Sequence, residues 1–376
     1  MKRLFFAVML LVAFAFAAAA LSVSKVGGID YAEGGVSIER NGKSIAAPDI
    51  GEPIFSGDLI RTQGDGMLVI ALDRITGLQG NVTVKAGSSV YIALDELRDE
   101  PRTRIQILTG AIGSKVSKLA GSPTVTVTTS SVVMTVRGTE YEVVVSINAD
   151  DASPSAQQAT LVACAESEVS VSDGQDEVEV PAGKALEKRP GERFRLIPVA
   201  VSSVESFGER WIADEISAFK ADAPRAIADY ANRYTELYAR FAAAYEPFQK
   251  SPTPKKWADE DQAGTKIDSL DPEALREDKE IAGYLFNIKK VLFVFERVYY
   301  RVDEISDVIA GTEDEKAMVR PGQTAGDFLA KVKAERDSLA AKVARYRYIE
   351  TLYRERNPGG DAFSSDDDFF GSSSGF

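Results

Sequence analysis

The chain has 376 residues, 44 Lys and Arg against 57 Asp and Glu, a formal net charge of −13, one cysteine and no histidine. Without histidine there is no Ser-His-Asp or Cys-His catalytic arrangement, no His-ligated zinc and no ordinary proton shuttle near neutral pH. The acidic balance argues against nucleic acid and anionic lipid surfaces, which select basic patches, and a lone cysteine closes no internal disulfide.

The first predicted element is a leader. Met1-Lys2-Arg3 precedes an unbroken apolar and small-residue run from Leu4 to Leu21, with alanines at 17 to 20. This order predicts a secretory signal peptide over residues 1–20. A retained anchor is the alternative, since about 18 apolar residues just span a bilayer. Cys164 is far from the leader, so the lipoprotein route is closed. The expected product is soluble and exported, periplasmic or secreted, and held together by core burial.

Residues 21–201 read as an all-β domain. Val, Thr, Ser and Gly dominate, and the hydrophobic period is two. Segments 57–72 and 80–94 each read strand, tight turn, strand. Val82 and Val84 share a face, as do Val90, Ile92 and Leu94. Gly64, Gly66 and Gly87 are placed in turns that need positive φ. Further strands are expected at 104–108, 110–116, around Val125 and Val127, and at 159–165, 168–171 and 177–180. Asp173-Gly174 turns between the last two, and 150–158 is an expected exposed loop. Short strands, frequent glycines and no helical insert point to a β-sandwich or to an irregular β-solenoid of stacked strand-turn-strand units.

Residues 202–356 change to Ala, Glu, Lys, Arg and Tyr with a period near 3.6. Ile212, Ile216, Phe219, Ile227, Tyr230, Tyr234, Leu237, Phe241 and Tyr245 form one stripe, broken locally at Pro224. Ser251-Pro-Thr-Pro254 ends it, and a Pro-rich break is expected near 251–270. Asp271 as N-cap and Pro272 in the first turn start a second helix, whose stripe runs from Ile281 to Ile309 before Gly311 closes it. A third helix is expected over about 326–356, through Leu329, Val332, Leu339, Val343, Tyr346, Ile349 and Tyr353. The set predicts an antiparallel helical hairpin or three-helix bundle. Tyr230, Tyr234, Tyr238, Phe241 and Tyr245, with Phe293, Phe295, Tyr299 and Tyr300, serve interhelical packing, or a self-association or partner-binding face. Residues 357–376 read as a disordered acidic tail. The whole is a multidomain all-β plus all-α chain.

The run Val132-Val-Met-Thr-Val-Arg-Gly-Thr-Glu-Tyr-Glu-Val-Val-Val145 is β-rich but interrupted at Arg137-Gly138-Thr139. Gly138 allows a bulge or sharp bend. Arg137 can offer its guanidinium to carbonyls or a carboxylate, and Thr139 can bond local backbone. The run follows Gly57-Asp58-Leu-Ile-Arg-Thr62, the strand pair around Gly87-Ser88, and Leu108-Thr-Gly110-Ala-Ile. It precedes Val178-x-Val180-x-Ala182-Gly183. In this order, over residues 51–191, the chain resembles the FecR-type periplasmic domain, whose own pattern is Val-Arg-Gly-Thr-x-Phe-x-Val where Tyr141 stands here. The resemblance implies an extracytoplasmic all-β module used for protein contact or signal relay. The motif residues Gly57, Asp58, Thr62, Arg137, Gly138, Thr139 and Tyr141 are read as a folding bend or a partner contact. Two features depart from the family. Its glycine after a glutamate in the penultimate hairpin is Ser167 here, following Glu166. Its founding regulators also carry a cytoplasmic anti-sigma segment and a transmembrane helix where this chain has the leader, so anti-sigma activity is not implied.

Other chemistries fail on spacing. Asn41-Gly42-Lys43-Ser44 ends like a P-loop, but Ser37 stands where the earlier glycine belongs. Ser22-Val-Ser-Lys25 lacks its companion motifs. Asp366-Asp367-Asp368 lacks the alternating ligands of a calcium loop. Glu166 and Glu168 are a chance pair in an acidic chain, and Cys164 between apolar neighbours reads as an inert thiol. No catalytic, cofactor or metal residue is assigned. The expected protein is non-enzymatic: an exported scaffold or envelope-sensing module that holds an envelope protein or its own copies, with strand edges covered or used for β-augmentation. A membrane-anchored FecR-type regulator and a cell-wall carbohydrate-binding protein are the alternatives.

Overall fold

The computed structural model describes residues 24–40, 43–95, 102–118, 124–136, 138–147, 158–265 and 271–357. The expected leader, Arg137, residues 150–157 of the expected loop and the expected tail from 358 lie outside the described residues.

Alternating apolar residues build the first half as strands β1 (Lys25–Glu33), β2 (Val36–Arg40), β3 (Lys43–Ala46), β4 (Pro53–Phe55), β5 (Leu59–Thr62), β6 (Met67–Leu72), β7 (Leu78–Val84), β8 (Ser89–Asp95) and β9 (Arg102–Lys118). They continue as β10 (Thr124–Thr128), β11 (Val133–Val136), β12 (Glu140–Ser146), β13 (Ala159–Cys164), β14 (Glu168–Ser172), β15 (Glu177–Pro181), β16 (Lys184–Lys188) and β17 (Arg195–Pro198). One layer runs β4-β1-β6-β7-β9-β12-β13-β16-β17. The other runs β3-β2-β5-β8-β9-β10-β11-β14-β15. Val82, Val84, Val90, Ile92 and Leu94 all face the shared core between the layers. The two-layer sandwich is therefore the form the β region takes.

The long strand β9 belongs to both layers. Its first half pairs with β8 and β10, and its second half with β7 and β12. The crossing falls at Gly110, with φ 83°, where a Cβ would lie 2.3 Å from Ser88 Oγ. Only glycine fits this bend. The expected break between 104–108 and 110–116 is thus a kink inside one strand. Gly87 has the expected positive φ, but Gly64 and Gly66 do not. Gly66 is needed for closeness instead, since a Cβ there would meet the Gly35 carbonyl at 2.3 Å.

Ser167 occupies the turn before β14 at φ 57°, in the left-handed region. A serine there is strained by roughly 1 kcal/mol, which glycine avoids. Ser167→Gly is expected to raise stability by about 0.5–1 kcal/mol, read as a higher denaturation midpoint with unchanged slope. An unchanged or lower midpoint would show that the Ser167 side chain compensates.

The second half forms helices α1 (Val204–Ala221), α2 (Ala223–Lys250), α3 (Thr253–Gln262), α4 (Pro272–Ile309) and α5 (Ala325–Arg356). The first expected helix is split at Asp222, and Pro224 sits in the first turn of α2, where its missing N–H costs nothing. The helix carrying the first stripe ends at Lys250, before Ser251-Pro-Thr-Pro254, as expected. Within 251–270, Pro252 and Pro254 then open α3, which buries Trp257 completely, and residues 266–270 lie outside the described residues. Asp271 caps α4 by accepting from Glu273 N–H. Thr324 and Asp327 form a reciprocal capping box at α5. A short hairpin, β18 (Met318–Arg320) with β19 (Gln323–Thr324), leads into α5.

The aromatic stripe turns inward. Tyr230, Tyr234, Phe241, Tyr245, Phe295, Tyr299 and Tyr300 are buried in one core with the α2, α4 and α5 aliphatics. Of the two roles expected of these rings, interhelical packing accounts for the buried ones, while Tyr238 and Phe293 are half-buried. The same core takes in Leu59, Tyr91, Leu108 and Ile147 from the strands. On the opposite side, Val204 and Trp211 of α1 cover the outer face of β12 and β13 with Ala111, Val144, Leu161 and Ala163. This explains why β12 and β13 read as continuous apolar runs rather than alternating ones.

Candidate functional site

The motif residues are held by internal bonds. Gly57 adopts φ 91° and donates its N–H to the Ile92 carbonyl at 2.8 Å. That turn buries Asp58, which accepts from Arg40 Nε at 2.8 Å, from Arg40 Nη2 at 2.7 Å and from Phe55 N–H at 2.9 Å. Arg40 also lies over the Phe55 ring, 4.6 Å from its centroid. Thr62 Oγ1 donates to the Lys85 carbonyl at 2.5 Å and accepts from Ser88 N–H at 2.9 Å. These bonds tie the 57–62 and 85–88 turns together, two segments that the sequence shows only as separate glycine-marked spots.

The second motif closes the other end of the sandwich. Gly138 has φ 95°. Thr139 donates its hydroxyl to the Glu166 carbonyl, and its own carbonyl accepts from Val116 N–H at 3.1 Å. Tyr141 is buried in register with Ser114 and Cys164, and its hydroxyl meets no partner with hydrogen-bond geometry. Cys164 is buried, and burial pushes its thiol pKa up. Among the described residues no His, Cys, Asp and Glu group is placed to hold a metal ion. No described helix is long and apolar enough to cross a membrane.

Charged residues that carry no motif fasten the helices to the platform. Arg61 of β5 pairs with Asp303 of α4, and its guanidinium carbon lies 5.4 Å from the Tyr300 ring centroid. Tyr91 of β8 donates to Glu296 Oε1 at 3.0 Å, while Arg347 of α5 reaches the same carboxylate at 2.9 and 3.1 Å. Arg347 also stacks 3.7 Å from the Tyr91 centroid. On the other face, Glu187 of β16 accepts from Trp211 Nε1 at 2.7 Å, Arg195 Nε at 2.7 Å and Arg189 Nη2 at 3.2 Å. Lys85 donates to Glu142 at 2.7 Å and Glu205 at 3.1 Å. Apart from Glu187 with the nearby Arg189 and Arg195, none of these partners is visible in sequence, since each remaining pair joins positions far apart in the chain. An indole at Trp211 on a half-polar helix is the one available signal.

Glu187 gives a pH prediction. Burial raises its pKa, but the Trp211 N–H and the two guanidiniums outweigh burial and leave it below the ordinary glutamate value. Its stabilising contribution is full above the unfolded value of about 4.3 and is lost as pH falls through the lower folded value. Hydrogen-exchange protection in α1, taken relative to the intrinsic rate at each pH, is therefore expected to fall on acidification through that window. Glu187→Gln should flatten the response; an unaltered acid profile in that variant would assign it to other carboxylates.

With both broad faces engaged by helices, the strand edges are what the platform presents. In one layer, β4 is three residues long and β17 ends in Pro198, which has no N–H. In the other, β15 carries Glu177, Glu179 and Pro181. Edge strand β3 carries no proline. Ala47 N–H bonds to the Val36 carbonyl, so by alternation Ile45 faces β2 in the ladder while the backbone groups of Ser44 and Ala46 point away from it. Among the described pairings β3 has no partner but β2. Among the described residues it is an edge strand that carries neither proline nor a second pairing.

No family model matches the chain, and no curated protein matches it. Two crystal structures, each described as a proposed anti-sigma factor from Parabacteroides distasonis, share 11% identity with it, at TM-scores of 0.32 and 0.24. The alignments cover 40% and 39% of this chain and 63% and 57% of those, so the chain spans less than two thirds of either. Similarity at this level transfers no activity.

Proposed function

We propose that this chain is a non-catalytic, exported contact module of the FecR type, serving as a scaffold or envelope sensor. Residues 21–201 are the platform, and residues 202–356 brace it. The open β3 edge is the observation that carries this reading. Its outward N–H and C=O groups at Ser44 and Ala46 suit an extended segment of an envelope protein, added as a further strand. The ordered motifs from Gly57 to Gly183 support the FecR assignment, and the lack of histidine supports a role without catalysis.

The test compares Ser44→Pro with Ser44→Ala. Proline removes one outward donor from a strand that β2 already pairs on its other side, so the fold should persist. Co-purification from cell envelopes is expected to lose the captured protein with proline and keep it with alanine. Equal capture by both variants, or no capture together with strictly monomeric behaviour, would defeat the edge reading. Mass measurement of the mature N-terminus separates the two localisations. A start near Leu21 supports export, and an intact Met1 supports an anchored FecR-type regulator.

A further inference from the structure

The outer face of α4 over its first five turns is basic and apolar in an acidic protein. Leu275 and Phe286 are 54% and 50% exposed. Arg276, Lys279, Gly283, Asn287 and Lys290 are exposed between and beside them, at spacings of three and four that put them on one stripe. Lys290 Nζ rests 4.0 Å from the Phe286 ring centroid. The hydrogen bonds of the neighbouring acids go to groups off this stripe. Glu273 and Glu277 take Lys256, and Glu280 takes Ser251, Thr253 and Tyr284. Three cations and two exposed apolar side chains thus share this stripe, and a carboxylate that borders it, Glu280, faces Arg276 while bonding Ser251, Thr253 and Tyr284.

The chain supplies a complementary segment. Beyond Arg356 there is no Lys or Arg, while Asp361, Asp366, Asp367 and Asp368 alternate with Phe363, Phe369, Phe370 and Phe376. The end of α5 lies against α4 at the level where this face begins. Arg356 pairs with Glu260 at 2.9 Å and stacks 3.9 Å from the Trp257 centroid, and Asp278 of α4 faces both Arg356 and Asn357. Nine residues from Asn357 reach roughly 30 Å when extended. Residues 278 to 290 span only about 18 Å of helix.

We propose that the segment Asp366-Asp-Asp-Phe-Phe370 docks on this α4 face within the same chain. Its carboxylates meet Arg276, Lys279 and Lys290, and its rings cover Phe286 and Leu275. Linkage through a short tether gives the segment a high effective concentration, so individually weak exposed pairs suffice. This inference does not depend on the proposed β3 function.

Zero-length carbodiimide coupling of the full-length chain, with linked peptides mapped by mass spectrometry, tests it. At low salt, links from Asp366–Asp368 to Lys279 or Lys290 are expected, and an equal mixture of light and heavy-isotope protein should show them within single copies. They should vanish near roughly 1 M salt, where the screening length falls to about 3 Å. The double variant K279E/K290E should lower tail links to α4 about tenfold. Replacing Asp366, Asp367 and Asp368 by lysine on that background should restore them with the charges exchanged. All five positions are exposed or in the tail, and circular dichroism checks that the fold is kept. Tail links spread evenly over other lysines, links only between isotopically mixed copies, or failure of the exchanged charges to restore linking would overturn the proposal. Flotation of the full chain with anionic vesicles, lost on Phe286→Ser and without any tail link, would assign the face to a lipid surface instead.

Discussion

Phe295→Ala is expected to destabilise the helical half by about 3–5 kcal/mol, near the top of the range for single truncations of a buried ring. Phe295 is fully buried at the middle of α4. Its ring lies 5.6 Å from Tyr234, 6.0 Å from Tyr238 and 5.4 Å from Phe241, all on α2. The loss therefore combines transfer of the ring, a cavity between two long helices and three aromatic pairs. Neither helix can collapse into the gap, because α4 is also held to the platform through Glu296 next door. Phe295→Leu keeps most of the volume and should cost less than about 1.5 kcal/mol. Denaturant unfolding followed by far-ultraviolet circular dichroism measures both. A loss under about 2 kcal/mol for alanine would show that the α2–α4 contact does not turn on this ring. Hydrogen exchange should rise in α2 and at Tyr91 together if the core and the platform contact are mechanically joined.

Asp58→Ala is expected to cost about 3 kcal/mol, at the lower end for breaking a buried ion pair. Asp58 is 1% exposed and takes both forks of Arg40 and the Phe55 N–H. Alanine leaves that N–H unsatisfied and strips Arg40 of its bidentate partner. Arg40 keeps the Pro53 carbonyl and a 3.5 Å pair with Glu52, which limits the loss. Asp58→Asn keeps one acceptor and should cost about half as much. The readout is the denaturation midpoint of the strand signal. Indistinguishable midpoints for alanine and wild type would mean that the Gly57-Asp58 turn is held by backbone alone. Because the turn anchors β4 and β5 beside the β2–β3 edge, the alanine variant should also weaken capture by that edge, whereas Ser44→Pro should weaken capture without lowering the midpoint to the same degree.

The sequence carried some elements further than others. Val82, Val84, Val90, Ile92 and Leu94 announce their inner faces because a half-buried strand alternates strictly. Asp271-Pro272 announces the start of α4 because both residues favour a helix start for local reasons. Strand β3, in contrast, is Lys43-Ser-Ile-Ala46, a run with two adjacent apolar residues and no periodicity to read. It is a strand because β2 pairs with it. Strands β1, β2, β4, β16 and β17 are likewise fixed by their pairings, where context outweighs local preference. Segment 253–262 misleads for a different reason: proline reads as a terminator, yet at the first turn it starts a helix. Of the motif residues, Gly57, Asp58, Thr62, Gly138, Thr139 and Tyr141 sit at turns and in the core, and Arg137 lies outside the described residues. The ties that set the platform against the helices, Arg61 to Asp303 and Tyr91 to Glu296 and Arg347, had no local signature.

By itself the order of residues determined two periodicities, one of two residues and one near 3.6, and with them a β-rich first half followed by helices. It also determined that no histidine is available as a ligand or proton carrier. Only the tertiary structure decided that β9 crosses between layers at Gly110, that the tyrosine stripe faces inward and that the helices lock onto both faces of the sandwich. The physical reason is range. Periodicity, caps and turns act over a few residues, where the chain itself brings the groups together. Layer pairing and ion pairs between strands and helices join residues as many as 242 positions apart, as Arg61 and Asp303 are, and exist only once the fold has closed.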